Sequence, residues 1–272
     1  MIYFLSDAHL GSLAIDRGWA HQKKLIDMLE MMSKDAVSIY MLGDMFDFWM
    51  EYFVHDKRKR EFSPFFKELR KLTKQGIHIH YFTGNHDLWT FGGIEAMSGA
   101  EIHHEPCTII RYGKALYLSH GDGVLPSDWQ TLYPKKIVRK IKKFLRLRQI
   151  FRSPFLQFCF RCLPPSWGNR FGYNWAKRSR LKEFSNPCPY KGEDQEELVL
   201  FAKEQEKMHN HRDYYLFGHR HIELDLQITP DSRVLVLGDC FRNWTYAKLD
   251  HHGNLTMHNY EVQSDNVQST KE

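Results

Sequence analysis

The sequence predicts an α/β fold: mostly parallel strands between flanking helices, interrupted once by a helical insertion. Three observations carry this. Short apolar or alternating runs at 1–6, 37–43, 77–83, 115–119, 214–218 and 233–238 read as strands. Amphipathic helical patterns separate several of them, the alternation that builds buried parallel sheets. A stretch at about 124–192 then breaks the alternation with basic and aromatic residues at helical spacing.

The elements follow in chain order. Ile2 to Leu5 form the body of the first strand. From His21 to Ser33, Leu25, Ile26, Met28, Leu29 and Met32 recur at helical spacing. The second strand run, 37–43, comes next. Phe62 to Lys74 repeats the helical pattern with Phe65, Phe66, Leu69 and Leu72, and Pro64 suits a first turn. After the third run, 77–83, the segments shorten. Ile102–Glu105, Thr108–Arg111, Ala115–Leu118, Glu223–Ile228, Arg233–Leu237 and Thr245–Leu249 read as antiparallel strands completing a second sheet, and Glu193–Asn210 as a third helix. One domain is expected over 1–262, carrying the insertion, with a polar, disordered tail at 263–272.

Composition sets limits. A chain of 272 residues with 42% hydrophobic content can bury a sizeable core. No apolar run reaches the roughly 18 residues of a membrane-spanning helix. The first strand begins at Ile2 with no signal peptide ahead of it, so a cytoplasmic location is expected. The five cysteines (Cys107, Cys159, Cys162, Cys188 and Cys240) are odd in number and scattered, which fits reduced thiols. Cys159 and Cys162 have CxxC spacing, but no second pair lies at zinc-finger distance, so they read as packing residues.

The net charge of +5 hides an asymmetry. Of 38 Lys and Arg, 15 lie between Trp129 and Lys182, a stretch with no Asp or Glu; the other 23 share the chain with 33 acids. A block so polarised reads as an interaction surface.

Five motifs follow strand runs: Asp7-Ala8-His9, Gly43-Asp44-Met45-Phe46-Asp47, Gly84-Asn85-His86-Asp87, Ser119-His120-Gly121-Asp122 and Gly218-His219-Arg220-His221. In parallel sheets ligands gather at the carboxyl ends of strands. Imidazoles and carboxylates delivered there are what two adjacent divalent metals need, and such a pair cleaves phosphoesters. Asp44 can offer one oxygen to each ion. His219 and His221, two residues apart on an extended segment, would share a side. His86 follows Asn85 directly, so the two would point apart. Asp47 either orients a ligand or caps a helix.

Together these motifs resemble the calcineurin-like metallophosphoesterase superfamily, whose pattern is D-x-H, G-D-x-x-D, G-N-H-D/E, a later H, and G-H-x-H. The resemblance covers roughly 1–123 and 212–250. It implies a four-layer αββα sandwich with a helical lid. It also implies two divalent ions, manganese in the first instance, one held by Asp7, His9, Asp44 and His221 and the other by Asp44, Asn85, His120 and His219. Between them the ions would activate a water for in-line attack on phosphorus. His86 would act on the phosphate or leaving group, with Asp87 orienting its ring.

A closer resemblance, on Asp44 to Trp49, Leu118 to Asp122 with Asp128, Leu237 to Leu249 and the basic insertion, is to UDP-2,3-diacylglucosamine pyrophosphatases of the LpxH type. It implies cleavage of a nucleotide-linked glycolipid to UMP and 2,3-diacylglucosamine 1-phosphate on the lipid A pathway. Asp128, Ser179 and Arg180 would contact sugar or phosphate. His86 departs from that pattern, where members carry Arg. This leaves open which side chain holds the diphosphate.

The insertion suits such a substrate. Lys135, Lys136, Arg139, Lys140, Lys142, Lys143, Arg146 and Arg148 alternate with apolar residues, as at an anionic membrane surface. Phe151, Phe155, Leu156, Phe158, Phe160 and Leu163 are expected to line an acyl groove. The favoured reading is a peripheral enzyme on the inner face of the cytoplasmic membrane, with no nucleic-acid partner. A nuclease sharing the metal motifs is the runner-up. A scaffold without catalysis comes last, because such scaffolds lose ligand residues and none is lost here.

Overall fold

In the computed structural model, residues 1–15, 18–185 and 189–261 are described. The expected tail at 263–272 lies outside them.

Parallel pairing joins β1 (Ile2–Leu5), β2 (Ser38–Leu42), β3 (His78–Phe82) and β4 (Glu101–His103). A second sheet runs in the order β5 (Cys107–Arg111), β6 (Lys114–Ser119), β7 (Tyr214–Phe217), β9 (Ser232–Leu237), β8 (Glu223–Thr229). The first sheet is completed by β10 (Thr245–Leu249), antiparallel to β1, and β11 (Leu255–Asn259) beyond it.

Alternation along the strands then sorts the side chains. Phe4, Tyr40, Leu42 and Phe82 meet Leu116, Leu118, Leu216, Leu235 and Leu237 between the sheets. The opposite face of the first sheet, with Tyr3, Leu5, Ile39 and Tyr81, packs on α1 (Gly18–Met32) and α2 (Ser63–Lys74) through Leu25, Met28, Leu29, Phe65 and Leu69. α3 (Gly93–Ser98) adds Ile94 to that core. Tyr215, Phe217, Val234 and Val236, on the outer face of the second sheet, pack on Leu198, Val199 and Ala202 of α8 (Glu197–Lys207). The result is helix, sheet, sheet, helix: the four-layer sandwich expected from the resemblance.

The insertion is helical, as its spacing predicts: α4 (Trp129–Leu132), α5 (Lys135–Arg152), α6 (Pro154–Arg161) and α7 (Pro165–Ser185). It packs on the body through a small cluster in which Phe48, Met50, Tyr52, Trp89 and Tyr173 bury one another, with Phe151 and Phe160 against them.

Two expectations need correction. The later strands are not one antiparallel set: β4 joins the first sheet in parallel, β10 pairs with β1, and β6, β7 and β9 are mutually parallel. Also, α3 and β11 carry no clear period in the sequence and went unanticipated.

Candidate metal centre

Each motif leaves its strand through a sharp turn. Asp7, His9, Asp44, His219 and His221 all adopt left-handed backbone conformations, with φ of 54°, 48°, 54°, 68° and 50°. For residues with a Cβ this costs about 1–2 kcal/mol each, and such strain clusters where function requires it. Hydrogen bonds between strand ends hold the turns. Asp7 N donates to Gly43 O and His9 N to Asp44 O, both at 3.0 Å, while Gly218 N donates to His120 O at 3.0 Å. Gly43 has φ 90°, and a Cβ there would meet the His120 ring at 2.6 Å. At Gly84 a Cβ would collide with the Asp44 carboxylate. Both glycines are therefore demanded by close approach.

The turns bring the side chains together in two groups. In one, His221 Nε2 lies 3.1 Å from Asp7 Oδ1 and 3.2 Å from His9 Nε2. In the other, His120 Nε2 lies 3.3 Å from both Asp44 Oδ2 and Asn85 Oδ1, with His219 in the same cluster. Asp44 stands between the groups, since Oδ2 is also 4.0 Å from His9 Nε2. Bonds of about 2.1 Å to a common ion separate ligand atoms by roughly 3–3.5 Å, so the donors fit divalent metals in both spacing and chemistry. His219 and His221 do not share a side. The left-handed turn sends one to each group.

Partners behind the ligands fix the rings. His120 Nδ1 donates to Leu42 O at 2.8 Å, which leaves Nε2 free to accept. His221 Nδ1 lies 2.6 Å from Glu183 Oε1. His9 Nδ1 lies 3.3 Å from Asp47 Oδ1, and no helix among the described residues has Asp47 as its cap. Burial would raise the Glu183 carboxyl, but the hydrogen bond from His221 and the neighbouring positive charges hold it down near about 2. Burial would likewise lower His221, yet Asp7 and Glu183 push it up to about 9. Asp44 is held well below the carboxylate range because His120 and His86 outweigh its burial. His219 falls to about 4, through burial and then the charge of His120.

His86 Nδ1 donates to Asp47 O at 2.7 Å, leaving Nε2 as the accepting nitrogen beside His9 and Asp44. The ring is oriented by that carbonyl and not by Asp87. Asp87 is fully buried, and its oxygens accept from Met45 N, Gly84 N and the Tyr81 hydroxyl. It shapes the loop that presents Asn85 and His86. Burial, then the charge of Asp44, raises its carboxyl to about 6.

The centre opens into a cavity of about 960 Å³. Asp44, Asn85, His86, His219 and His221 line it together with Phe48, Leu88, Trp89, Phe144, Leu147, Phe151, Phe171 and Trp175. Of the expected substrate contacts, Ser179 and Arg180 line the cavity. Arg180 is 2% exposed, with Nη2 at 2.8 Å from His9 Nδ1 and Nη1 at 2.6 Å from Glu183. Asp128 is not brought there: it is exposed at the start of α4 and absent from the lining. The acyl-groove expectation also shifts. Phe151 lines the cavity, but Phe155 and Phe158 are 76% and 57% exposed, and Phe160 stacks on Trp89. Phe144 and Leu147, also on the basic helix α5, line it beside Phe151.

Three contributors went unread in the sequence. Glu183 is the first acid after the acid-free stretch, the one signal available for it. Arg148 Nε donates to Asp122 Oδ2 at 2.6 Å, and Arg152 lies 3.5 Å from the same oxygen, tying α5 to the loop that carries His120. Such tertiary pairings have no local pattern.

No protein-family model matches the chain. A UDP-2,3-diacylglucosamine hydrolase of Porphyromonas gingivalis is 33% identical over 92% of this chain and 94% of its own. A UDP-2,3-diacylglucosamine hydrolase of Actinobacillus succinogenes is 26% identical over 87% and 90%. Among solved structures, a phosphopantetheinyl hydrolase of Mycobacterium tuberculosis aligns over 88% of this chain and 89% of its own, at 14% identity and a TM-score of 0.36. With a third of its residues shared across nearly the whole of both chains, this protein belongs to the UDP-2,3-diacylglucosamine hydrolase family.

Proposed function

We propose that the protein hydrolyses the diphosphate of UDP-2,3-diacylglucosamine to UMP and 2,3-diacylglucosamine 1-phosphate. The observation that carries this is one cavity lined both by metal-type donors and by aromatic and aliphatic side chains. A substrate that carries both a diphosphate and acyl chains matches both kinds of lining.

In this reading Asp7, His9, Asp44 and His221 hold one divalent ion, and Asp44, Asn85, His120 and His219 hold a second. Manganese suits this mixture of carboxylate, amide and imidazole donors. When bound, such a pair activates water and neutralises phosphoryl charge. The chain's own residues do the rest. His86 presents Nε2 to the phosphate or the leaving oxygen, because its other nitrogen is committed to the Asp47 carbonyl. Asp87 keeps the His86 loop in shape. Arg180, a buried cation against His9, and Arg148, on the cavity wall, offer positive charge to phosphate oxygens. Ser179 supplies a hydroxyl at the rim. Phe144, Leu147, Phe151 and Trp175 exclude water and receive acyl methylenes, each worth about 0.8 kcal/mol when buried.

The exposed cations of α5 would hold the chain on the inner face of the cytoplasmic membrane, where an anionic surface would deliver the lipid. The test is restoration. Metal-stripped protein should release no UMP from UDP-2,3-diacylglucosamine, and added Mn²⁺ should restore release. Turnover that persists after stripping would end this reading.

A further inference from the structure

Away from the cavity, at the open edge of the first sheet, three ligand-type side chains meet. His80 on β3 pairs directly with Glu101 on β4, and His103 lies two residues further along β4, on the same face. His80 Nδ1 is 3.2 Å from His103 Nε2 and 3.2 Å from Glu101 Oε2; His103 Nε2 is 3.7 Å from Glu101 Oε1. That face is the one turned toward the second sheet, where Tyr40 and Phe82 belong to the core.

A polar trio there has a modest explanation. Inward-pointing charge on an edge strand prevents that edge from pairing with another chain. Two details go beyond it. First, ligands of a four-coordinate ion with bonds of about 2.0–2.1 Å lie roughly 3.4 Å apart, and the three separations bracket that value. Second, both rings are held in place. His80 stacks on Tyr40 with centroids 4.2 Å apart and planes within 9°, and His103 stacks on Phe82 at 4.5 Å and 17°. A charge meant only to repel needs no fixed orientation, whereas a metal ligand does.

The geometry points to a metal site formed by His80, Glu101 and His103 that takes a borderline divalent cation such as Zn²⁺, with a fourth position open to solvent. Two imidazoles and a carboxylate favour zinc over magnesium or calcium. The site would be separate from the catalytic pair in both residues and role. β4 is only three residues long, and Thr83 N donates to His103 O just before the Gly84 to Asp87 loop begins. A bound ion would therefore fasten a short edge strand to β3 and steady the strand end that presents Asn85 and His86.

The test uses the metal-stripped full-length chain and its Glu101→Gln and His103→Gln variants, titrated with Zn²⁺ against a chromophoric chelator. Glu101 is 66% exposed in its side chain, so its variant should fold normally. The wild type should take up one more Zn²⁺ per chain than either variant. Added Zn²⁺ should raise the unfolding temperature of the wild type by more than that of the variants. Manganese-supported hydrolysis of a soluble phosphodiester should be equal in all three. Equal zinc stoichiometry in wild type and variants would overturn the proposal and leave the trio as edge protection. Loss of diester turnover in both variants would also overturn it, by making the trio part of the catalytic centre.

Discussion

Asp44 is shared by both groups of donors. Oδ1 accepts from His86 N at 2.8 Å, while Oδ2 faces His120 at 3.3 Å and His9 at 4.0 Å. Removing it takes a ligand from each proposed ion at once. Asp44→Ala should therefore lose both bound metal and turnover, and a variant that retains two metals with normal turnover would refute the bridging role. His86 stands beside the same donors, yet its role is assigned to the transition state. His86→Ala should keep its metal content and lose roughly 10²–10⁴ in kcat, the usual contribution of a general acid or base. Metal loss in parallel with activity would instead make His86 a ligand, as its proximity to His9 and Asp44 allows. Glu183 touches no substrate atom in this account. Through its 2.6 Å contact with Nδ1 it fixes the ring of His221. Loss of such a partner typically weakens metal binding 10–100-fold. Glu183→Gln should thus raise the Mn²⁺ requirement by about that factor while kcat at saturating Mn²⁺ stays near wild type. An unchanged Mn²⁺ requirement would remove Glu183 from the centre.

Among the elements, α5 presents two faces. Phe144 and Leu147 face the cavity, while Arg139, Lys140, Lys142 and Lys143 are exposed. Each cation near an anionic surface contributes about 1 kcal/mol. Replacing those four with Gln should weaken binding to anionic vesicles by roughly two to three orders of magnitude at low salt. Hydrolysis of a small soluble phosphodiester should barely change, because the metal centre lies on other segments. Equal losses in both assays would mean that the charges serve the fold. The same helix marks a limit of sequence reading. Its apolar residues are spaced among so many cations that their direction depends on the body they pack against. The neighbouring aromatic run in α6 is easier to see, yet Phe155 and Phe158 project outward. By contrast the strand ends were legible, because a Gly or a ligand-type residue must follow each strand wherever a chain turns sharply into a metal centre. The left-handed conformations of Asp7, His9, His219 and His221 were only weakly legible: Asp and His enter that region more readily than most residues, but the type alone does not say which of them will. They are imposed by hydrogen bonds between distant loops. The sheet membership of β4 and β10 was hidden for the same reason: pairing partners are set by tertiary contact.

At the scale of the whole molecule, the sandwich gathers five loops at one end of two sheets and the insertion roofs them. The charge asymmetry maps onto this division, with the cations concentrated in the roof and the acids spread over the body. Among the described residues, no helix is long and apolar enough to cross a membrane. In the proposed function, contact with the lipid substrate falls to the exposed faces of the roof and to the cavity beneath it. The proposed function requires this cavity to set a diphosphate against the metal centre while holding the acyl chains away from it. Product identification tests it most directly. Manganese-loaded protein is incubated with UDP-2,3-diacylglucosamine, and the phosphorus-containing products are resolved by mass spectrometry and phosphorus NMR. UMP and 2,3-diacylglucosamine 1-phosphate are expected in equal amounts. Release of UDP, or an intact substrate beside active cleavage of nucleic acid, would contradict it.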